Sequence, residues 1–234
     1  MSLALRRDNL VSAKAFVIDY GGGNFLSVQR ALLHCGAEVE VAETPKAVAK
    51  ADMLILPGVG AFSSVMKALH QRDMVSAIRA YAKSGRPFLG ICVGMQVLFE
   101  RSDEFGGCDG LAILRGSVER IPNRDFEGHS LRLPHIGWNR LKQADTGDDI
   151  LLRGISPDAA FVYFTHSYFV RDPNPAVRVA DCTYGGHRLA AIVREGSVSG
   201  CQFHPEKSGE VGLKILLNFL ASPDQTDNRM AAQT

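Results

Sequence analysis

The sequence predicts an α/β fold in which a mostly parallel, doubly wound sheet carries helices on both faces. Three observations predict it. Ala15-Phe16-Val17-Ile18, Met53-Leu54-Ile55-Leu56 and Pro87-Phe88-Leu89 are continuous apolar runs of strand length, the pattern of strands buried on both faces. Between them, apolar residues recur at helical spacing. In the second half the alternation gives way to short β-like runs separated by Gly, Pro and Asn, which are expected to add antiparallel strands.

Taken in order, Ala15 to Tyr20 forms the first strand and Gly21-Gly22-Gly23-Asn24 the turn after it. Leu26, Val28, Ala31, Leu32 and Leu33 mark a helix that runs up to Gly36. Glu38-Val39-Glu40-Val41 is a second strand, and Asp52 to Leu56 a third, ended by Pro57-Gly58. A helix through Val75, Ile78, Arg79 and Tyr81 leads to Gly85, placed to cap it in the left-handed conformation. The strand at Phe88-Leu89 follows. Leu111–Leu114, Phe161–Phe164, Val177–Ala180, Leu189–Val193 and Val198–Phe203 read as the later strands. A last helix around Val211–Leu220 puts Leu213, Leu216, Leu217 and Leu220 on one face. No repeat or linker divides the chain, so residues 15–221 are expected to form one domain. Residues 1–14 then form an N-terminal extension, and 222–234 a polar tail expected to be disordered.

The totals narrow the function. With 234 residues, 46% hydrophobic and 22% charged, the chain suits a single globular domain. A net charge of +1 gives no electrostatic reason to expect nucleic acid or an anionic membrane as partner. No apolar stretch approaches the roughly 18 residues of a membrane span, and the start lacks the apolar core of a secretory signal. Five cysteines with no C-x-x-C pair point to a reducing compartment, hence the cytoplasm, and to no zinc site.

The chemistry centres on Gly90-Ile91-Cys92-Val93-Gly94-Met95-Gln96. A strand feeds a helix through a G-x-C-x-G turn, the thiol counterpart of the nucleophile elbow. A lone cysteine beside a buried strand is ordinarily a small core residue. Two flanking glycines change that reading, because they remove side chains that would clash as a sharp turn closes and give a core strand nothing. The turn presents Cys92 at a helix start, where free N–H groups favour the thiolate. Far downstream, Gln202-Phe203-His204-Pro205-Glu206 ends a strand-like run. Pro205 biases His204 toward an extended conformation, in which residues 204 and 206 project to the same side, so the carboxylate can hold one imidazole nitrogen while the other faces the thiol. Oxyanion donors are expected from the Val93 N–H and from the loop Pro57-Gly58-Val59-Gly60, at Gly58 and Val59. Two glycines let that backbone adopt conformations barred to other residues. A dinucleotide reading of Gly21-Gly22-Gly23 fails, since G-x-G-x-x-G requires glycine where Leu26 stands. No cofactor is expected, and no His, Cys or carboxylate cluster has metal-ligand spacing.

These residues resemble the class I (triad) glutamine amidotransferases, a three-layer α/β/α flavodoxin-like fold, over about Phe16 to Leu220. Within the class the chain resembles most the glutaminase subunits of imidazole glycerol phosphate synthase in histidine biosynthesis. That narrower resemblance rests on Asp19-Tyr20-Gly21-Gly22-Gly23-Asn24, Leu56-Pro57-Gly58-Val59-Gly60, Pro134-His135-Ile136-Gly137-Trp138-Asn139, His166-Ser167-Tyr168 and Gln202 to Gly209. It implies that Cys92 attacks the side-chain amide of glutamine, that His204 protonates the leaving ammonia and later activates water, and that Glu206 orients His204. It further implies that Gln96, Glu104, His166, Ser167 and Tyr168 line the substrate pocket. Asn24, Trp138 and Lys207 would face a (β/α)8 cyclase subunit, the heterodimer partner that receives ammonia and makes imidazole glycerol phosphate and an aminoimidazole carboxamide ribotide. Glutaminase activity would be low until that partner binds its ligand. The glutaminase of another class I enzyme, such as anthranilate synthase, is the competing enzyme reading, and Gly137-Trp138-Asn139 argues against it. A degenerate domain kept only for assembly is the competing non-catalytic one, and an intact Cys92, His204 and Glu206 argues against that.

Overall fold

The computed structural model describes residues 13–144, 147–171 and 173–222. Apart from Ala13, Lys14 and Ser222, the expected extension and tail lie outside these residues, and Lys14 belongs to the first strand. In chain order the elements are β1 (Lys14–Ile18), α1 (Phe25–His34), β2 (Glu38–Ala42), α2 (Pro45–Lys50), β3 (Met53–Gly58), α3 (Phe62–Gln71), α4 (Met74–Ala82), β4 (Phe88–Cys92) and α5 (Val93–Gln96). Short strands follow: β5 (Arg101–Ser102), β6 (Cys108–Asp109), β7 (Ser117–Arg120), β8 (His135–Arg140), β9 (Lys142–Gln143), β10 (Phe161–His166) and β11 (Tyr168–Arg171). The chain then runs through β12 (Arg178–Tyr184), β13 (His187–Glu195), β14 (Val198–Cys201) and α6 (Gly209–Leu220).

The main sheet has the order β2-β1-β3-β4-β14-β13-β12-β9. Its first five strands pair in parallel, and from β14 outward the pairing is antiparallel. Alternate residues of a strand face opposite sides, so the unbroken burial of β4 and of all but the first residue of β1 and β3 means that both sheet faces are covered. Helices supply the cover in two groups: α1 packs with α6, whereas α4 packs with α2 and α3. A two-stranded antiparallel sheet of β10 and β8 and a four-stranded sheet in the order β11-β7-β5-β6 complete the second half. Fold class and the parallel-to-antiparallel change therefore agree with the expectation from sequence.

Three local expectations need correction. Residues 111–114 form no strand. Leu111 and Leu114 are buried, but their N–H groups, with that of Ile113, donate to the carbonyls of Val97 and Leu98, and Ala112 takes a positive φ of 50° that breaks a strand. The buried face of α6 is Gly212, Ile215, Leu216, Phe219 and Leu220, with Leu213 and Leu217 only partly buried at its edges. Helix α5 is a single turn, so any helix-dipole effect on Cys92 comes from one turn alone.

The glycines around this turn act through close approach. A Cβ on Gly94 would lie 1.9 Å from the Leu56 carbonyl oxygen, and one on Gly90 2.6 Å from that of Gly94. A Cβ on Gly58 would lie 2.3 Å from the Gly94 nitrogen. Gly58 therefore has to be glycine so that β3 can pack against α5, whatever its peptide does for the reaction. Gly58→Val is expected to destabilise the fold by about 3 kcal/mol or more, roughly 6–12 °C in melting temperature for a chain of this size. Thermal unfolding checks this; an unchanged melting temperature with hydrolysis lost would return Gly58 to a purely chemical role.

Candidate active site

Open α/β sheets place their ligands at the carboxyl ends of the strands. Here three adjacent strands, β3, β4 and β14, deliver Gly58, Cys92 and the segment after Cys201 to one such edge, with Gly58 opposite Cys92 in register. Cys92 sits at the elbow with φ 54° and ψ −113°, a strained positive-φ conformation that costs a non-glycine residue of order 1–3 kcal/mol and is held by the packing on either side. Its neighbours in the fold account for the other cysteines. Burial pushes the Cys35 thiol up to about 11 and that of Cys182 up to about 12, and it raises Cys201 still further. Such thiols are chemically quiet.

His204 is pinned by its backbone: its N–H donates to the Tyr163 carbonyl at 3.0 Å, and its own carbonyl accepts from Ser208 Oγ at 2.6 Å. Ser208 Oγ in turn accepts from the Tyr163 N–H at 2.9 Å. Pro205 opens a 3-10 turn over Pro205–Lys207, so Glu206 reaches back across a turn rather than along extended chain. The result is still the expected bond, His204 Nδ1 to Glu206 Oε1 at 2.7 Å, with both side chains almost wholly buried. That leaves Nε2 for Cys92. Nε2 has no hydrogen bond of ordinary geometry in the free protein, a common condition of such contacts before substrate tightens them. Burial works against the imidazolium, but the Cys92 sulfur and the Glu206 carboxylate outweigh it and push His204 up to about 9.

Beside this pair lies a cleft of roughly 300 Å³. Of the residues expected at the site, Val59, Cys92, Val93, Gln96, Glu104, His166, Ser167, Tyr168 and His204 line it. Gly58 and Glu206 sit behind the lining. Gln96 Nε2 donates to the Tyr168 carbonyl at 2.9 Å and to Gln202 Oε1 at 3.0 Å, so its remaining acceptor, Oε1, is what it can offer a ligand. Glu104 accepts the Phe62 N–H at Oε2, 2.7 Å away, and brings a buried carboxylate to the cleft. His166 and His135 form a neutral pair: burial pushes them down to about 3 and about 4. A carbonyl can only accept, so His166 Nδ1 donates to Tyr168 O at 2.8 Å and its Nε2 takes the proton of His135 Nδ1 at 3.2 Å. The Val93 N–H, first in a one-turn helix, has no partner within that helix. The Val59 N–H lies beside the buried Tyr20 hydroxyl, whose phenol burial pushes up to about 12 against the pull of that N–H.

The residues expected at a partner face separate. Trp138 is 56% exposed on β8, edge-on to Tyr163, and Lys207 is exposed on the 3-10 turn. Asn24 instead turns its amide inward and donates to Glu206 Oε1 at 2.6 Å, the same oxygen that holds His204. It sits at the N-cap of α1 yet makes no side-chain cap there. No local pattern announces this, because the partner is 182 residues away. Sequence reasoning also passed over Gln202, which is wholly buried and donates to Cys92 Sγ at 3.8 Å. The period-two argument that joined 204 to 206 places 202 on the side of 204 as well, so the signal was present. One metal-like group was missed too: Asp125, Glu127 and His129 bring ligand atoms within 4.8 Å of one another, but Asp125 Oδ1 already accepts the N–H groups of Glu127 and His129 in an exposed turn.

A buried thiol, imidazole and carboxylate beside a small polar cleft define the class: an α/β protein equipped for nucleophilic attack by cysteine on an acyl group. Residues 16–222 match the family Glutamine amidotransferase class-I. Among solved structures, PurLQS from Thermotoga maritima superposes with a TM-score of 0.69 at 19% identity, over 89% of this chain and 98% of that one. At such identity the likeness concerns the fold. Imidazole glycerol phosphate synthase subunit HisH 1 of Legionella pneumophila (strain Paris) is 45% identical over 207 residues, covering 87% of this chain and 97% of the relative. The HisH subunit of Methanosarcina barkeri is 46% identical over 205 residues, covering 87% and 96%. The chain belongs to the class I glutamine amidotransferase family, in the branch formed by the HisH subunits of imidazole glycerol phosphate synthase.

Proposed function

We propose that this chain hydrolyses L-glutamine to glutamate and ammonia through a thioester on Cys92. The ammonia passes to a (β/α)8 cyclase subunit bound as a heterodimer partner, which makes imidazole glycerol phosphate and an aminoimidazole carboxamide ribotide. The observation that carries the reading is the line from Glu206 Oε1 to His204 Nδ1 at 2.7 Å, with the imidazole set against the Cys92 sulfur at the edge of the cleft. The thiolate attacks the amide carbon of glutamine, and the oxygen takes up negative charge that the Val93 N–H, with the Val59 N–H of the neighbouring loop, would meet. His204, protonated while its value stands near 9, gives its proton to the leaving nitrogen; the carbon–nitrogen bond breaks and ammonia departs. The neutral imidazole then takes a proton from water, hydroxide attacks the thioester, and glutamate leaves as the thiolate reforms. Glu104 and Gln96 Oε1 suit the α-ammonium of glutamine, being acceptors. Trp138 and Lys207 are the exposed groups of the partner face. Residues 15–221 act as one domain. Five cysteines free of disulfides support a cytoplasmic site, and no helix among the described residues is long and apolar enough to cross a membrane.

The test is glutamate release from glutamine by the purified chain, alone and with the cyclase subunit and its ribonucleotide ligand. A rise of at least about a hundredfold on adding both is expected, because His204 Nε2 has no hydrogen bond of ordinary geometry to Cys92 in the free chain. Equal rates in both states would overturn the coupled reading, and no release in either would overturn the glutaminase.

A further inference from the structure

Next to the nucleophile lies a buried amide for which the reaction above has no use. Gln202 is 0% exposed. Its backbone N–H continues the ladder of β14, donating to Ala191 O at 2.9 Å, which fixes where the side chain starts. The orientation of the amide follows from its partners. Tyr168 O can only accept, so the Gln96 nitrogen is the end that faces it at 2.9 Å, and that nitrogen also meets Gln202 at 3.0 Å. The end of Gln202 facing Gln96 is therefore its oxygen, and the end facing Cys92 Sγ at 3.8 Å is its NH₂ group. An N–H donor beside sulfur favours the thiolate over the thiol and restricts the side-chain rotation of the cysteine. We infer that Gln202 is a positioning residue for Cys92: its amide, held by Gln96, donates to the sulfur and keeps it aimed at the cleft. Gln96 thereby touches both the substrate cleft and the group that holds the nucleophile.

This rests on the glutaminase reading for its kinetic part only, since thiol reactivity can be measured without glutamine. Gln202→Glu keeps the volume and the acceptor for Gln96 but turns an oxygen toward the sulfur; Gln202→Leu removes the donor outright. The measurement is the pH profile of iodoacetamide alkylation of Cys92, read on the Cys92 peptide by mass spectrometry, in variants checked by thermal unfolding. The midpoint of that profile is expected to move up by about one pH unit in both variants. The kcat for glutamine in the complex is expected to fall about 10–100-fold while KM stays within about threefold. An alkylation profile that superposes on the unsubstituted protein would overturn the inference, as would a loss confined to KM, which would assign Gln202 to the ligand through Gln96. Failure of both variants to fold would make Gln202 a packing residue and overturn it equally. Absence of glutamate release by the unsubstituted complex would overturn the glutaminase reading, and the alkylation profile would still decide the role of Gln202.

Discussion

Cys92→Ala is expected to reduce glutamine hydrolysis by at least about 10⁴-fold while leaving the fold and the partner complex in place. The first half of that expectation follows from chemical isolation. Cys35, Cys182 and Cys201 are buried with thiols pushed up, and none of the five cysteines except Cys92 lines the cleft. No second thiol can take over the attack. The second half follows from the packing. Alanine retains the Cβ that the elbow already accommodates at φ 54°, so the strain does not change. What is lost is the sulfur volume and the partner of Gln202 Nε2, together about 1–2 kcal/mol. Glutamate release and thermal unfolding measure the two halves. Synthesis by the complex supplied with ammonium salt separates chemistry from assembly: it should persist at about the unsubstituted rate, because externally supplied ammonia bypasses this subunit's reaction. Residual hydrolysis within about tenfold of the original would remove Cys92 from the nucleophile's role. Loss of ammonia-dependent synthesis would mean that Cys92 also supports the complex.

The elbow was readable because its constraint is local. Two glycines within four residues of a cysteine, after an apolar run, describe a turn whose neighbours must come very close, and Gly94 at 1.9 Å from the Leu56 oxygen shows how close. The parallel strands were readable for a similar reason, since burial on both faces leaves no polar alternation to interpret. Helices α2 and α3 went unread. The first is six residues long, too short for a period to show. The second carries its helical period openly in Phe62, Val65, Met66 and Leu69, and only its start, an N–H bound to Glu104 42 residues downstream, has no local signal. At 111–114 the apolar run was real but its backbone bonds close on the turn after α5, and no periodicity distinguishes that from a strand. The site divides along the same line. Cys92, His204 and Glu206 carry their signals in short motifs, and Gln202 shares the last of these, whereas the contacts of Asn24 with Glu206 and of Gln202 with Cys92 form only once chain segments 182 and 110 residues apart meet.

Glu206→Gln is expected to lower kcat about 10²–10³-fold and to move the alkaline limb of the pH profile toward neutrality. His204 stands near 9 because the Cys92 sulfur and the Glu206 carboxylate together overcome the effect of burial, which by itself favours the neutral ring. The general acid is therefore present across the neutral range, and activity should fall as pH climbs through about 9. Replacing the carboxylate with an amide removes one of the two supports and leaves burial in force, so the limb must move down. The stability consequence has the same sign. His204 has a folded-state value above its unfolded value of about 6.5, so its contribution is fully present below about 6.5 and is lost as pH rises through about 9. His135 and His166 act oppositely. Their folded values, about 4 and about 3, lie below the unfolded one, so their contribution is present above about 6.5 and is lost as pH falls toward those values. The unsubstituted protein should accordingly be most stable near pH 6.5, where the two windows meet, and Glu206→Gln should lower stability below about 9, where the imidazolium contributes, and leave it unchanged above. The amide's carbonyl can still accept from His204 Nδ1 or from Asn24, so the ring keeps its place and the change is one of charge. Rate and melting-temperature profiles from pH 5 to 10 measure both effects. A variant with reduced kcat but an alkaline limb still near 9 would show that Glu206 aligns the imidazole without raising its basicity, and that the Cys92 sulfur alone sustains the imidazolium.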